Sequence, residues 1–435
     1  MGTTLYKNAD WIITMNEKRE KIRHGDLLIS GKEILDVGTD LEKKYEGTLK
    51  IDHVVEAEGT VILPGFVNVH HHTWQSLIRN IQATRGLKLE PWLTVMYEIY
   101  KDLNTDVARA GVYSGLGDML KTGCTTSNDL WYPHPVGVKY LVDAEIETAA
   151  EIGIRFHPTR GFHSVPSSIV PPEVVDTKES VVEDTIRLVK KYHDRSRFSM
   201  CQVGIAPSIA QYETEDIIEA VVDLAEEYDI MVHGHLAESQ HEVEYTLKTW
   251  GCRPFEWFKR HRLLGKRFYF AHCIHLNEEE IAQMAETGTG VAHCPISNML
   301  LSSGACPVPS YLEHGLTIGL GVDGAASSNS SNMLEEIRCA YLLNRLTWGD
   351  KAATPDDYLY MATAGGAKVL GRDDIGYLAP GMAADFAQMD WNQLTYAGGC
   401  YDPVACIVES GDPRLVKNVV VNGELVVSSG KLTKV

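Results

Sequence analysis

Three consecutive histidines, His70, His71 and His72, follow an apolar run over residues 61–69. Side chains alternate between the two faces of a strand, so His70 and His72 would share one face while His71 points the other way. Two imidazoles placed in this way can bind one metal ion, because both extend to the same side with similar reach. A His-x-His pair is weak evidence by itself, and other parts of the chain must complete such a site.

Further residues suited to metal binding or proton transfer occur where other strand-like runs end. They are His235, Glu238, His272 and Asp323. Taken singly, each has an ordinary interpretation: a hydrogen-bonded core histidine, a carboxylate at a helix start or an aspartate in a turn. Their joint occurrence at predicted strand ends indicates chemistry. We expect structural roles for His233, His275 and His293.

From about residue 64 the chain alternates predicted strands with helix-length amphipathic runs. The predicted strands cover residues 61–69, 125–128, 154–157, 200–206, 230–235, 268–272, 290–294 and 317–323. Predicted helices cover residues 216–228, 278–286 (after an Asn277 cap), 332–346 and 355–370. Eight strands with intervening helices are typical of an α/β chain folded as a (β/α)8 TIM barrel, whose functional residues lie at the carboxyl ends of the strands.

Both ends of the 435-residue chain instead read as short strands and turns, including a predicted hairpin that turns on Asn422 and Gly423. We therefore predict a small β-sandwich domain built from both chain ends. Residues 1–63 would form its N-terminal part, residues 64–372 the metal-dependent barrel, and residues 373–435 its C-terminal part.

Composition excludes several classes of protein. A net charge of −19 disfavours nucleic-acid and anionic-membrane partners. The nine cysteines are scattered without a Cys-x-x-Cys motif, which is typical of reduced thiols in a cytoplasmic protein. No signal peptide or membrane span is visible. Residues 319–324 match G-x-G-x-x-G but lack the acidic residue about 20 positions on, so a nicotinamide enzyme is disfavoured.

The predicted end of the fourth strand, residues 200–207, contains no Lys, Asp or Glu that could bridge two metals. We therefore expect one divalent metal. Three imidazoles and a carboxylate suit Zn²⁺, with Fe²⁺ as the alternative. Barrels of this type often have large flat faces that dimerise, so we also expect a homo-oligomer.

Four segments, residues 270–276, 288–298, 319–328 and 371–376, resemble the amidohydrolase superfamily in its cytosine-deaminase-like branch. The resemblance extends over essentially the whole chain, and within that branch it is closest to bacterial 8-oxoguanine deaminases and hydroxyatrazine aminohydrolases. It implies hydrolytic deamination of a small N-heterocycle, 8-oxoguanine or a related purine or pterin, by attack of metal-bound hydroxide with release of ammonia.

The resemblance also implies residue roles. The metal ligands would be His70, His72, His235 and Asp323. Glu238, His272 and Asp323 would be catalytic, acting in proton transfer and in polarising the substrate.

Three residues on loops expected near the ring are candidates for substrate binding: Gln75, Trp131 and Arg160. Gln75 matches a ring-facing glutamine of the 8-oxoguanine group, whereas the segment around Trp131 departs from that group and Arg160 resembles the hydroxyatrazine enzymes. Trp74, Trp92 and Trp131 could stack on a planar ring or simply pack a lid.

Two alternative functions stay open: a triazine amidohydrolase releasing an alkylamine or chloride, and a non-catalytic metal-binding barrel.

Overall fold

The computed structural model of the chain describes residues 2–435. Its strands are β1 (Thr3–Ile13), β2 (Lys21–Ser30), β3 (Glu33–Gly38), β4 (His53–Glu56), β5 (Thr60–Pro64), β6 (Phe66–Asn68), β7 (Cys124–Trp131), β8 (Arg155–Phe162), β9 (Gly204–Pro207), β10 (Val232–Leu236), β11 (Phe268–His272), β12 (Gly290–His293), β13 (Ile318–Leu320), β14 (Phe386–Asp390), β15 (Val416–Val421), β16 (Glu424–Ser428) and β17 (Lys431–Leu432).

Its α-helices are α1 (Leu41–Lys44), α2 (Leu89–Tyr100), α3 (Thr105–Lys121), α4 (Leu141–Ile152), α5 (Lys178–Tyr192), α6 (Glu215–Tyr228), α7 (Gln240–Trp250), α8 (Pro254–Arg260), α9 (Glu278–Thr287), α10 (Pro295–Leu300), α11 (Val308–Glu313), α12 (Ala325–Ser328), α13 (Met333–Trp348), α14 (Pro355–Tyr360), α15 (Gly366–Val369) and α16 (Pro403–Ser410). The Asn277 side chain caps α9 as predicted, in a reciprocal capping box with Glu280. No helix within residues 2–435 is both long and apolar enough to cross a membrane.

Strands β6 to β13 form one parallel eight-stranded sheet in sequence order. The Val69 N–H donates to the Leu320 carbonyl at 3.0 Å, which brings the last strand back against the start of the first. The sheet is thus a nearly closed barrel, and the predicted (β/α)8 architecture is confirmed. Its carboxyl-end rim is where the candidate site residues converge.

A second, mixed sheet takes strands from both chain ends, in the order β17-β16-β15-β14-β5-β1-β2-β3, with β4 beside β1. It encloses its own apolar cluster, which includes Ile12, Leu27, Ile62 and Phe386. The Asn422-Gly423 turn lies between β15 and β16, as predicted. A small β-structure built from both ends beside the barrel is therefore confirmed.

The predicted strand over residues 61–69 is wrong as a single element. The chain divides at Gly65 into β5, which belongs to the end sheet, and β6, which opens the barrel. A side chain cannot fit at this point, because a Cβ on Gly65 would lie 2.1 Å from the Thr125 side chain. The apolar run is continuous in sequence because both of its halves are buried.

A buried ion pair fixes the end sheet to the barrel. Arg155 at the start of β8 donates to Asp385 just before β14, with a closest distance of 2.9 Å. The Asn422 N–H also donates to Asp385, at 2.6 Å. Arg155 is fully buried, so this pair is shielded from water and geometrically demanding.

Candidate active site

Four of the predicted residues form a compact cluster at the barrel rim. His70 and His72 follow β6, His235 lies in β10, and Asp323 follows β13. Asp323 Oδ1 lies 3.3 Å from His70 Nε2 and 3.4 Å from His72 Nε2. One ring nitrogen of His235 lies within 4.8 Å of nitrogens of both other histidines. Side chains that the sequence placed at the ends of different strands therefore lie together in the structure.

Backbone carbonyls fix the orientation of two of the rings. His72 Nδ1 lies 2.7 Å from the Leu130 carbonyl, and His235 Nδ1 lies 2.7 Å from the Ser208 carbonyl. A carbonyl only accepts hydrogen bonds, so each ring carries its hydrogen on Nδ1. The Nε2 lone pair of each ring is then free to bind a metal.

The third ring is held by another histidine. His233 Nδ1 donates to the Tyr269 carbonyl at 3.0 Å, which leaves His233 Nε2 as an acceptor. His70 Nδ1 lies 2.7 Å from that Nε2 and donates to it. His233, expected to be structural, is therefore the group that directs the His70 Nε2 lone pair towards Asp323.

These residues fit a divalent cation. Because His70 Nδ1 carries the hydrogen, His70 Nε2 and Asp323 Oδ1 are two acceptors only 3.3 Å apart. His70 Nε2 is fully buried and has no hydrogen-bond partner in the part of the chain that the structure describes. Burial lowers the pKa of His72 to about 3, which keeps its imidazole neutral, the form that binds metals. Three neutral imidazoles and one carboxylate form a donor set of the kind that binds Zn²⁺.

The backbone adopts left-handed conformations where the site residues leave their strands. The φ angles are 50° at Ala237, 68° at His272 and 59° at Asp323. Residues with a side chain rarely adopt such angles, and they do so mainly where surrounding structure enforces them. Three strand ends of the barrel are thus bent to bring Glu238, His272 and Asp323 to one cavity.

Glu238 and His272 form an acid–base pair beside the cluster. Glu238 Oε2 lies 3.4 Å from His272 Nε2, and the Ser303 hydroxyl donates to Glu238 Oε1 at 3.3 Å. Burial, reinforced by the charge of Asp323, raises the pKa of Glu238 to about 7 even though His272 opposes the shift. Glu238 can therefore hold or release a proton near neutral pH.

Gln75 lies in the wall of the same cavity. Its amide nitrogen donates to the Tyr100 hydroxyl at 3.0 Å. Its Oε1 atom is buried and finds no partner within residues 2–435. A Cβ on Gly324 would lie 1.8 Å from that oxygen, so the glycine is required for Gln75 to occupy this position.

A cavity that is partly open to solvent lies over this cluster. One wall carries the polar side chains of His72, His235, Glu238, His272 and Asp323. The remaining wall is mostly apolar and aromatic, and it includes Leu89, Trp92, Leu93, Tyr97, Tyr132, Ile209, Tyr212 and Leu301. No lysine or arginine lines it along residues 2–435. Such a cavity suits an uncharged planar ring.

Two predicted substrate contacts lie elsewhere. Trp131 is fully buried at the end of β7 and packs on Trp74, with ring centroids 4.6 Å apart, behind the cavity wall. The Arg160 guanidinium is held by Asp176 and Asp184 at 2.8 and 2.9 Å and borders a different cavity. The structure thus does not bring Trp131 or Arg160 to the proposed ring site.

The reason is that β7 and β8 run further than the sequence predicted. They end at Trp131 and Phe162, where residues 128 and 157 were expected. The residues that follow the true ends, Tyr132 and His163, line the cavity instead. Neither Tyr132 nor His163 was predicted from the sequence to line the site. Their residue types, an aromatic residue and a histidine just past two barrel strands, could have indicated it.

Comparisons with known proteins agree with this geometry. A profile of the amidohydrolase family matches residues 61–426. An 8-oxoguanine deaminase of Pseudomonas aeruginosa is 37% identical over 356 residues, covering 81% of this chain and 79% of that enzyme. A hydroxydechloroatrazine ethylaminohydrolase of Pseudomonas sp. strain ADP is 32% identical, covering 99% and 92%. The crystal structure of an atrazine chlorohydrolase from Arthrobacter aurescens TC1, complexed with zinc, is 27% identical with a TM-score of 0.92, covering 99% and 96%.

The family match extends over most of the chain, and the two relatives exceed 30% identity over more than two thirds of their own lengths. The predicted superfamily, barrel and hydrolytic chemistry are thereby confirmed. The chain belongs to the amidohydrolase family and is a hydrolase that acts on carbon–nitrogen bonds.

Proposed function

We propose that this enzyme deaminates a small, uncharged oxo-heterocycle of the purine or pterin type and releases ammonia. The observation that carries the proposal is the position of Glu238. Its carboxyl group has a pKa raised to about 7 and lies 3.4 Å from His272, on the wall of the cavity that is also lined by three of the four proposed ligands, His72, His235 and Asp323. An amine leaving group must gain a proton before it departs, and Glu238 is the group placed to supply it.

We assign His70, His72, His235 and Asp323 as the residues that hold the metal. A divalent metal bound there supplies an activated water molecule at neutral pH. Asp323 would hold the metal and would take up a proton, with its Oδ2 atom fixed in position by the Ser327 hydroxyl, which donates to it at 3.1 Å. Asp323 is thus proposed to act both as ligand and as base.

Glu238 gives its proton to the ring nitrogen next to the attacked carbon, takes up the proton held by Asp323 and passes it to the amine, which leaves as ammonia. The added hydroxyl group loses its proton to Asp323 as the product carbonyl forms, and that proton returns to Glu238. His272 Nδ1 donates to the Asn298 side-chain oxygen at 2.8 Å, so Nε2 faces Glu238 and, once protonated, donates to the oxygen that becomes negatively charged at the attacked carbon. Gln75 offers its unpartnered Oε1 to an N–H group of the ring. The apolar remainder of the wall excludes water from the ring faces.

Release of an alkylamine from a triazine is the second candidate. The 99% coverage by a hydroxydechloroatrazine ethylaminohydrolase favours it, and the proton-donor role of Glu238 would serve it equally. Chloride displacement is disfavoured, because a halide leaving group needs no proton. An intact set of ligands and acid–base groups also argues against a non-catalytic barrel.

A product assay on metal-defined enzyme tests the proposal. The panel is 8-oxoguanine, guanine, isoxanthopterin, cytosine, hydroxyatrazine and melamine, with ammonia and alkylamine measured separately. Ammonia from a purine or pterin is the expected result, whereas alkylamine from hydroxyatrazine alone would replace the proposal with the triazine alternative.

The role of Glu238 is tested with Glu238→Gln, which keeps the side-chain shape but removes the titrating proton. We expect turnover to fall about 10²- to 10⁴-fold with bound metal unchanged. The matched control is Glu244→Gln, since Glu244 is exposed on the following helix α7. Near-normal turnover in Glu238→Gln would refute the assignment.

We further propose zinc as the native metal, with iron(II) as the alternative, because imidazole and carboxylate donors suit both. All nine cysteines are free thiols, which supports a cytoplasmic location. We also propose a homo-oligomer. Elemental analysis of enzyme purified without added metal, and light scattering of the same sample, test the metal and the assembly.

A further inference from the structure

A second polar network borders the active-site cavity, and the proposed mechanism uses none of it. Tyr97 on α2 lies with its hydroxyl 2.5 Å from His163 Nε2. His163 Nδ1 lies 3.3 Å from Glu213 Oε1. All three side chains are buried, and both Tyr97 and His163 line the cavity. The network is therefore a continuous series of hydrogen bonds that ends at the cavity wall.

The network reaches close to the metal cluster. The Tyr132 ring lies between the two, with its centroid 5.0 Å from that of His72 and 5.3 Å from that of His163. Tyr97 and His163 thus lie one aromatic ring away from a proposed ligand. His72, Tyr97 and His163 nevertheless line the same cavity, so a heterocycle bound there shares it with the Tyr97 side chain.

The hydrogen-bond donors around Glu213 determine which groups of this network donate and which accept. The Ser164 N–H and hydroxyl groups donate to Glu213 Oε2 at 3.1 and 2.9 Å. A proton on this carboxyl group therefore belongs on Oε1, which faces His163 Nδ1. Burial raises the pKa of Glu213 well above its usual value and lowers the pKa of His163 to about 3, so burial favours the neutral form of both groups.

With that arrangement each member donates to the next. Glu213 Oε1–H donates to His163 Nδ1, so the His163 hydrogen lies on Nε2 and is donated to the Tyr97 oxygen. A tyrosine hydroxyl that accepts from Nε2–H has its own hydrogen free. That hydrogen is available to a group in the cavity.

We propose that the Tyr97 hydroxyl, held in donor orientation by His163 and Glu213, binds an acceptor oxygen on the substrate edge remote from the metal and selects oxo-substituted rings. Tyr97 is then a specificity residue, and His163 and Glu213 are positioning residues. The inference rests on the proposed function, since it assigns further recognition to the same cavity. It complements Gln75, whose free oxygen accepts where Tyr97 donates.

The test compares Tyr97→Phe with Tyr212→Phe. Tyr212 lines the same cavity and contacts His163 edge-on, with ring centroids 5.5 Å apart, but lies outside the chain of hydrogen bonds. Each variant is assayed on the most rapidly hydrolysed oxo-heterocycle of the panel and on its analogue with one remote oxo group replaced by hydrogen. For 8-oxoguanine that analogue is guanine.

In Tyr97→Phe we expect kcat/KM to fall about 5- to 100-fold for the oxo compound, mainly through KM, and much less for the analogue. Tyr212→Phe should affect the two compounds equally. Equal loss or no loss for the pair in Tyr97→Phe overturns the inference while leaving the proposed function intact. Absence of turnover of every panel compound by the wild-type enzyme overturns the proposed function and the inference together.

Variants of Glu213 test the direction of the chain independently of Tyr97. In Glu213→Gln the amide oxygen can accept from Ser164 and the NH₂ group can donate to His163, so the preference for the oxo compound should be retained. In Glu213→Leu that donor is lost and the preference should fall. If Gln and Leu reduce the preference equally, with equal metal content, the proposed donor direction is wrong.

Discussion

His233→Ala should weaken metal binding although His233 is not a proposed ligand. In the structure His233 Nε2 accepts the hydrogen of His70 Nδ1 at 2.7 Å and so keeps the His70 Nε2 lone pair free. Without that acceptor, metal-free enzyme can place the His70 hydrogen on Nε2 and donate it to Asp323, 3.3 Å away. Metal binding would force the hydrogen back to Nδ1, where nothing accepts it.

The size of the effect follows from that unpaired group. His70 is fully buried, so its Nδ1–H cannot turn to bulk water. A buried donor left unpaired costs about 1–3 kcal/mol. The cost applies to the metal-bound form alone, which corresponds to a metal affinity about 5- to 150-fold weaker. Losses of about 10- to 100-fold are typical for removal of a group that orients a ligand histidine.

Competition between the apo-enzyme and a chromophoric chelator measures the zinc affinity. His293→Ala is the matched control, because His293 is similarly buried in the barrel, on β12, and its removal leaves a cavity of the same size. We expect wild-type zinc affinity in the control. A zinc Kd for His233→Ala within about twofold of wild type would refute the orienting role, since that limit lies well below the fivefold minimum derived from an unpaired donor.

Three further predictions concern substrate binding, stability and the metal. Gly324→Ala should raise KM about tenfold by displacing Gln75, whose Oε1 would lie 1.8 Å from the new Cβ, whereas Gly38→Ala, with its nearest atom at 3.6 Å, should leave KM unchanged. Asp385→Ala should destabilise the enzyme to urea by about 3–5 kcal/mol because it leaves Arg155 buried and unpaired, and a loss below about 1 kcal/mol would contradict this. Chelation of the metal should abolish turnover and lower the unfolding temperature. Zinc added at a hundredfold excess over its Kd should restore about 2.7 kcal/mol of the free energy of unfolding. Turnover that survives complete metal removal would contradict the metal requirement.

The close grouping of the four proposed ligands was predictable because it depends on two regular features. Parity along a strand places His70 and His72 on one face, and parallel barrel strands bring His235 and Asp323 to the same rim. Neither feature requires knowledge of loop conformation. The left-handed backbone at Asp323, with φ of 59°, is in contrast imposed by the folded rim and is not visible in the sequence.

The candidate substrate contacts were predicted less well, because two barrel strands were predicted to end too early. The third barrel strand was predicted to end at residue 157, yet β8 continues through Pro158 and Gly161, residue types that usually interrupt strands. Pairing with β7 continues as far as Trp131 opposite Arg160. The close approach of these strands requires Gly161, where a Cβ would lie 2.5 Å from the Trp131 carbonyl. This tertiary pairing moved the cavity-lining positions onward to His163.

The position of β5 also has a consequence for biosynthesis. β5 lies between β1 and β14 in the end sheet, and the chain passes from β5 through Gly65 directly into the strand that leads to His70. β14 begins only at Phe386, after all four proposed ligands have been synthesised. A nascent chain therefore presents one unpaired edge of β5 to other chains until β14 has left the ribosome. Chains that are truncated before β14 keep that edge exposed, and we expect them to aggregate.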